Sequence, residues 1–208
     1  MELISLFPLN IVVYPEEKLN LHIFEPRYRA LISEALQQDR MFGIPSYVLS
    51  KIEYGTTVYI EKVVKTYADG RMDIITRGKK IFKVIRFENP APQKLYAEGE
   101  VAFLPINFDS NASIDYIFKE KVNELANLLS ISSYFDWNAI NGAYDVAHQI
   151  GLSKEKEYEL LQIKGEVERK GYIIEHIERI IPVLKETENA KKRVKMNGHF
   201  RNFGPLDF

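Results

Sequence analysis

The sequence predicts an α+β protein in which a β-barrel with one inserted helix is followed by a small bundle of helices. Residues 1–108 contain about six short apolar stretches, with prolines, glycines and an Asp-Gly pair between them. Short strands and turn signals at this spacing are typical of a closed or nearly closed barrel. Residues 109–188 instead repeat apolar residues every three or four positions, which is the pattern of amphipathic helices.

The first 36 residues predict strands that lead directly into a helix. The apolar runs 6–9 and 12–15 each contain a proline, which is typical of short buried strands that end in turns. Alternating apolar residues over 19–23 predict a third strand. Pro26 then opens a helix predicted for residues 26–36, because the first helical turn needs no backbone donor at that position.

Alternation and turn residues predict the rest of the barrel. A short apolar run at 41–45 predicts one strand, and a long extended region begins at Gly55. The alternation changes phase near residue 62, which indicates a β-bulge. An Asp-Gly pair at 69–70 predicts the tight turn of a hairpin, and residues 95–103 alternate again. Closure of these strands removes the exposed edges that an open sheet would leave.

Helical periodicity dominates the second half of the chain. The boundary is predicted at 105–113, where Asn, Asp and Ser residues are dense. Apolar stripes over 114–129 and 140–150 predict two helices, and a third follows. A last helix begins near Glu166, and Pro182 is expected to kink or end it.

These patterns divide the chain into three parts. Residues 1–108 form the predicted barrel domain, and residues 109–188 form the predicted helical bundle. Residues 189–208 form a basic and aromatic tail. We expect this tail to be mobile unless its aromatic side chains dock.

Composition limits the class of protein. The chain has 208 residues, of which 46% are hydrophobic, so it can bury a sizeable core. Its formal net charge of −1 disfavours a general attraction to nucleic acid. It has no cysteine, which excludes disulfides and thiolate chemistry. The amino terminus lacks the basic region of a signal peptide, and no stretch reaches the ~18 apolar residues of a membrane span. We therefore expect a cytoplasmic protein without membrane contact.

Motifs for catalysis, phosphate binding and metal binding are missing from the sequence. It contains no G-x-x-x-x-G-K-[ST] phosphate loop and no H-E-x-x-H zinc motif. The histidines have no partners at metal-ligand spacing; they are His22, His148, His176 and His199. An acid–base pair of Asp145 and His148 is conceivable, but a surface hydrogen bond is favoured. We expect no catalytic residue, no metal and no cofactor.

Several motifs in the first half resemble one protein family. Phe-Pro-Leu at 7–9 is followed by Tyr-Pro at 14–15 and by Leu-His-Ile-Phe-Glu-Pro-Arg-Tyr-Arg-Ala-Leu at 21–31. Gly-Thr at 55–56 and Arg-Gly-Lys-Lys-Ile-Phe-Lys-Val at 77–84 match as well. Together these motifs resemble the amino-terminal substrate-binding domain of Lon proteases. The resemblance is strong over the barrel half and looser to about residue 184.

The resemblance implies a PUA-like barrel and a binding function. Lon proteases also carry an ATPase domain and a Ser-Lys protease domain, and this sequence carries the motifs of neither. The implied function is a non-enzymatic module that recognises exposed apolar segments of client polypeptides. The module would be an adaptor or substrate-recognition component in protein quality control, alongside a separate protease. The sequence departs from the family at 16–18, where Glu-Glu-Lys replaces the usual glycine and makes the loop charged.

Binding of extended polypeptide requires an accessible apolar groove or a free strand edge. We expect this groove where the signature loops approach the strand that follows the first helix. The residues predicted to line it are Tyr14, Leu19, Leu21, Phe42, Ile44 and Tyr47. The alternatives are that these side chains belong to the core, or that a ligand enters a cleft between barrel and bundle.

The other signature residues are predicted to be mainly structural. They are Phe7, Pro8, His22, Phe24, Glu25, Pro26, Arg27 and Tyr28. Glu25 lies where its carboxylate favours the dipole of the predicted helix. Arg27 can bond that carboxylate or the carbonyls of a strand end. A histidine beside an apolar strand, such as His22, is more often structural than ligand-binding.

Two other functions stay open at this point. PUA-like barrels include RNA-binding proteins, and a basic run is present at Arg77, Lys79, Lys80, Lys83 and Arg86. The near-zero net charge and the lack of a strand face with interleaved basic and aromatic residues disfavour nucleic-acid binding. The second alternative is a small-molecule-binding protein or an enzyme with an unrecognised site. Neither the oligomeric state nor the identity of a client follows from the sequence.

Overall fold

The computed structural model describes residues 1–48, 51–132 and 140–198, which form six strands and four α-helices. The strands are β1 (Glu2–Leu6), β2 (Lys18–Ile23), β3 (Met41–Pro45), β4 (Tyr54–Thr66), β5 (Met72–Glu88) and β6 (Ala97–Phe103). The helices are α1 (Pro26–Gln37), α2 (Ala112–Leu128), α3 (Lys154–Gln162) and α4 (Glu166–Gly198). Helix α1 is inserted between β2 and β3, and the other helices follow the sheet. The predicted α+β class is confirmed.

The strands form one sheet that curls back on itself. Its order is β2-β5-β4-β3-β1-β6, and β5 also pairs with β6. Strands β5, β4, β3, β1 and β6 therefore form a ring. Because β1 and β3 meet in parallel at the single pair Leu6 and Gly43, the ring is only partly formed. Strand β2 lies outside the ring, and its only partner among the described strands is β5.

Two irregularities in β4 and β5 correspond to features of the sequence. The register between these strands shifts between Ile60 and Lys62, which confirms the bulge predicted near residue 62. Strand β5 continues through Gly78, where the backbone of an earlier loop packs against it. A Cβ atom at Gly78 would lie 2.0 Å from the carbonyl oxygen of Tyr14, so only glycine allows this approach.

The apolar run 12–15 forms a loop with buried side chains and not the predicted strand. Side chains satisfy its backbone groups. The N–H of Tyr14 donates to the Glu17 carboxylate at 2.8 Å, and the Thr56 hydroxyl donates to the carbonyl of Val13. Because these polar groups have side-chain partners, the loop can be buried without a neighbouring strand.

Helix α1 begins as predicted, with Pro26 in its first turn. The Glu25 carboxylate accepts a hydrogen bond from Arg27 Nε at 2.8 Å and does not cap the helix N–H groups. The buried face of α1 covers the barrel core and comprises Tyr28, Leu31, Ile32 and Ala35.

The stripe at 140–150 forms two short 3-10 turns and not the predicted helix. These turns are 143–145 and 147–149. Carboxylates accept the N–H groups at the start of the first turn. The side chain of Asp145 accepts the N–H of Gly142 at 2.8 Å, and the Glu166 carboxylate accepts the N–H of Ala143 at 2.7 Å. The bond to Glu166 joins these turns to the first turn of α4.

Helix α4 continues through Pro182, where the sequence predicts a kink or an end. Residues on both sides of the proline, Ile181 and Leu184, pack on the apolar cluster that contains α2. This packing compensates for the helix hydrogen bond that proline cannot make. Helix α4 therefore includes residues 189–198 of the predicted tail, and residues 199–208 lie outside the described part of the chain.

One apolar core crosses the predicted boundary between barrel and bundle. The barrel half contributes Val12, Tyr14, Val48 and Ile81, and the helical half contributes residues of α2, α3 and α4. A second apolar cluster fills the barrel beneath α1. The barrel and the helices therefore share buried surface along their contact.

A buried ion pair fixes the start of α4. The side chain of Arg169 is 0% exposed and donates to the Glu166 carboxylate at 2.9 and 2.7 Å. The same guanidinium donates to the carbonyl of Asn107, which follows β6, at 3.1 Å. It also donates to two carbonyls just before α4, those of Ile163 and Lys164. These partners compensate the buried charge. Through them, Arg169 joins the end of the barrel to the first turn of α4.

Replacement of Ile81 by alanine tests the shared core. Ile81 is 2% exposed, and Ile81→Ala leaves a cavity that we expect to lower the free energy of unfolding by about 2–4 kcal/mol. Barrel and helices should unfold in one transition, measured in urea by circular dichroism for the helices and by amide NMR signals for β4. Leu3→Ala, at a position 67% exposed, is the matched control and should change stability little. Two separate transitions would contradict the shared core.

Candidate polypeptide-binding site

Three of the residues predicted to line a groove reach the surface. Leu19 and Leu21 are half-buried on β2 and pack against the barrel core. Tyr47 is 47% exposed, and its N–H donates to the carbonyl of Leu9 at 2.7 Å. The two leucines and the tyrosine lie on different segments, β2 and the chain that follows β3.

The other three predicted residues are buried. Phe42 and Ile44 point from β3 into the cluster beneath α1, and each is at most 1% exposed. Tyr14 is 1% exposed and lies in the core shared with the helices. Of the predicted set, Leu19, Leu21 and Tyr47 are therefore the side chains with the most accessible surface.

Strand β2 offers a free backbone edge, the second feature that polypeptide binding can use. It pairs with β5 from Lys18 opposite Arg77 to Ile23 opposite Met72, and no described strand pairs with its other side. In an antiparallel pair every second residue directs its N–H and C=O away from its partner strand. The outer side of β2 therefore presents backbone donors and acceptors that an extended chain can pair with.

An aromatic cluster lies at the end of this edge. We call His22, Phe24, Tyr67 and Asp73 the edge cluster. The carboxylate of Asp73 is 2.6 Å from His22 Nδ1 and accepts the Tyr67 hydroxyl at 2.7 Å. Hydrogen bonds from His22 and Tyr67 lower the pKa of Asp73. The ring of Phe24 lies 6.1 Å from that of His22 and is 59% exposed, so an apolar surface adjoins the free edge.

Sequence reasoning placed His22 and Phe24 among the structural signature residues and missed Tyr67 and Asp73. His22 and Asp73 are directly opposite each other in the β2–β5 pairing. Tyr67 and Asp73 flank the β4–β5 turn, so the predicted hairpin could have brought these two together. The contact with His22 depends on the order of the strands, which local patterns do not contain.

Two of the remaining signature residues, Phe7 and Tyr28, connect α1 to the barrel. Phe7 stacks on Tyr28 at 3.8 Å between ring centroids, inside the barrel core. The Arg27 guanidinium lies 4.4 Å from the centre of the Tyr28 ring and bonds the Glu25 carboxylate, as the sequence predicts. Pro8 is half-buried in the chain after β1. The stacking of Phe7 on Tyr28 thus packs α1 against the barrel core.

A second concave surface lies between the barrel and the helical half. We call it the boundary cleft; its walls include Pro15 and Glu16 on one side and Phe108, Tyr144 and Asp145 on the other. It has a volume of about 420 Å³, and an adjoining hollow of about 280 Å³ shares four of its lining residues. The cleft is in the region that sequence reasoning gave as the alternative place for a ligand.

Residues 4–179 match the sequence model of the ATP-dependent protease La (LON) substrate-binding domain. The chain belongs to this family. A Lon N-terminal domain protein from Xanthomonas campestris is 24% identical, with a TM-score of 0.66 over 84% of this chain and 98% of that one. The N-terminal domain of Mycobacterium avium complex Lon protease is 15% identical, with a TM-score of 0.66 over 85% of this chain and 98% of that one. At these identities the two structures establish the shared fold.

Within this Lon-type domain the predicted basic run is largely neutralised. Arg77 bonds the carboxylate of Glu61, and Lys79 bonds that of Glu16 at 3.3 Å. Arg86 pairs with a carboxylate too, that of Glu88. The two other cations, Lys80 and Lys83, lie over the rings of Phe103 and Tyr54. Three of the five cations are therefore paired with carboxylates, which reduces the positive charge that the run could offer to a phosphate backbone.

The described residues contain neither a metal-ligand group nor a helix suited to a bilayer. No set of three His, Asp or Glu side chains among them could hold a metal ion. No helix in this part of the Lon-type domain is both long enough and apolar enough to cross a membrane.

His148 connects the barrel to the helices beside the boundary cleft. Its Nε2 lies 3.2 Å from Glu17 in the barrel loop, and its Nδ1 lies 2.8 Å from Glu157 on α3. Hydrogen bonds to the Glu17 and Glu157 carboxylates raise the pKa of His148 to about 9. Asp145 accepts backbone N–H groups, so it does not pair with His148 as an acid–base couple.

The raised pKa of His148 predicts a pH-dependent contribution to stability. The folded pKa of about 9 exceeds the ordinary value of 6.5, so the stabilisation is complete below pH 6.5. It declines as the pH rises and is lost above about 9. We expect the difference in unfolding free energy between wild type and His148→Gln to shrink accordingly in urea titrations at several pH values.

NMR titration of the ring protons of His148 measures the same pKa directly. His176, whose pKa is lowered by burial, is the internal control in that experiment. A midpoint for His148 at or below that of His176 would contradict the bridge between the two carboxylates.

Proposed function

We propose that this chain is a non-enzymatic polypeptide-recognition module that adds an extended segment of an unfolded client to the free edge of β2. The observation that carries the proposal is the unpaired side of β2, with the exposed ring of Phe24 at its end. Membership of a substrate-binding domain family supports the same class of function. Strand addition needs only backbone groups, so it suits clients of many sequences.

The geometry of the edge implies modest affinity. Six residues of β2 pair with β5, and every second one directs its backbone groups outwards. Each hydrogen bond gained on binding contributes about 0.5–1.5 kcal/mol net. Apolar contact with the edge cluster adds to this, and it favours clients that carry an aliphatic or aromatic residue next to the paired segment.

A module of this kind needs a separate enzyme to act on what it holds. We propose that it is a cytoplasmic adaptor or substrate-recognition component in protein quality control, which presents unfolded polypeptide to a separate protease. It requires no cofactor for this role. RNA is disfavoured as the ligand, because three of the five cations of the basic run are paired with carboxylates.

Substitution of Phe24 tests the location of the site. Phe24→Ala removes an exposed ring beside the edge, and we expect about tenfold weaker binding of an unfolded casein-like polypeptide, measured by fluorescence anisotropy. Leu95→Ala is the matched control, because Leu95 is 63% exposed but lies on the connection between β5 and β6. Equal affinities of the two variants and of wild type would place the site elsewhere.

Backbone methylation of the client tests the mode of binding. A short apolar peptide is methylated at the nitrogens of either its odd or its even residues. Strand addition uses the N–H groups of one set only, so one methylated peptide should lose binding and the other should keep it. If neither methylated peptide loses binding, the backbone of the client does not pair with β2.

A further inference from the structure

The boundary cleft lies next to the start of β2. Glu16, in its wall, has a left-handed φ of 64° and turns the chain two residues before β2 begins at Lys18. The guanidinium of Arg77 on β5 donates to the carbonyl of Glu16 at 2.9 Å and holds the turn in place. A polypeptide paired with β2 that continues beyond Lys18 therefore passes towards the cleft.

The cleft has an apolar wall that the fold itself does not cover. Phe108 is 80% exposed, although it is a large aromatic residue. The ring of Tyr144 is held by stacking on Tyr14 at 4.6 Å between centroids, and the Arg169 guanidinium lies 4.6 Å from its centre. The wall therefore combines one exposed ring with one fixed ring.

The polar lining of the cleft is predominantly acidic. Its charged residues are Glu16, Asp109, Asp115, Asp145, Glu166 and Lys170. Asp115 is neutralised by Lys170 at 2.6 Å, and Glu166 by Arg169. In the described part of the chain, Asp109 and Asp145 have no cation within ion-pair distance. Two acidic charges of the cleft are therefore without a cation partner among the residues that the structure describes.

These two carboxylates are only partly occupied by hydrogen bonds. Asp109 uses Oδ1 to accept the N–H of Glu166 at 2.6 Å. Asp145 uses Oδ2 to accept the N–H groups of Asn141 and Gly142, both at 2.8 Å. The second oxygen of each carboxylate has no hydrogen-bond donor among the described residues. Both therefore have acceptor capacity for a ligand.

We propose that the boundary cleft binds a lysine or arginine side chain of the client, together with an apolar residue beside it. The proposal rests on the proposed function and adds a preference to it. The cation would meet the open oxygens of Asp109 and Asp145, while its aliphatic stem and the apolar neighbour cover Phe108 and Tyr144. Charge complementarity selects this occupant, because an acidic segment would face uncompensated carboxylates.

Two peptides of alternating apolar and polar residues test the preference. They are identical except that the lysines and arginines of one are glutamines in the other. At low ionic strength the wild-type protein should bind the cationic peptide about tenfold more tightly, measured by fluorescence anisotropy. The difference should shrink as salt is added, because ions screen charges that are partly exposed.

Variants of the cleft locate the source of the preference. Asp109→Asn combined with Asp145→Asn keeps acceptor oxygens for the backbone N–H groups, and it should make the two affinities nearly equal. Phe108→Ala should weaken binding of both peptides. The matched controls are Tyr116→Ala, at a position 67% exposed on α2, and Glu120→Gln on the same helix. Both controls should leave affinities and preference unchanged.

The outcomes separate this inference from the proposed function. If wild type binds both peptides equally, or if the asparagine variant keeps the preference, the cleft does not select cations. In either case, weaker binding of the glutamine peptide to the Phe24→Ala variant than to wild type would still support binding at β2. If wild type binds neither peptide, both the inference and the proposed function fail.

Discussion

The contact between Gly78 and the loop at 14–17 determines how the two halves of the molecule meet. Because residue 78 has no side chain, the carbonyl of Tyr14 can lie against β5. The N–H of Glu16 donates to the carbonyl of Gly78 at 3.0 Å, and the N–H of Gly78 donates to the carbonyl of Glu17 at 2.9 Å. This arrangement places Tyr14 in the shared core and starts β2 on the outer side of β5. The free edge and one wall of the cleft both follow from it.

Local patterns in the sequence were sufficient for the fold class and for several boundaries. Period-two alternation predicted the strands and the bulge near residue 62, since side chains alternate between faces wherever a strand is regular. Proline chemistry predicted the start of α1 at Pro26. The motif at 21–31 also indicated the family, because eleven residues in this order rarely occur together by chance. Each of these signals lies within a few consecutive residues.

Features that depend on distant partners did not follow from the sequence. Alternation shows that Phe42 and Ile44 share a face, but it does not show that α1 covers that face. The 3-10 turns at 140–150 are tied to α4 by Glu166, which accepts a backbone N–H more than twenty positions earlier in the chain. The free edge of β2 requires the strand order, which is a property of the whole sheet. The sequence therefore suggested residues near this edge, whereas the edge itself follows only from the strand order.

The bridge from His148 to two carboxylates also determines how the domain responds to acid. An ordinary imidazole changes charge between about pH 5 and 8 and can act as a proton sensor. With a pKa of about 9, this imidazole is instead a permanent cation throughout that interval. Acidification within this interval therefore leaves His148, at the joint between the barrel and α3, in the same charge state. The hydrogen bonds of His148 to Glu17 and Glu157 therefore do not depend on pH in this interval.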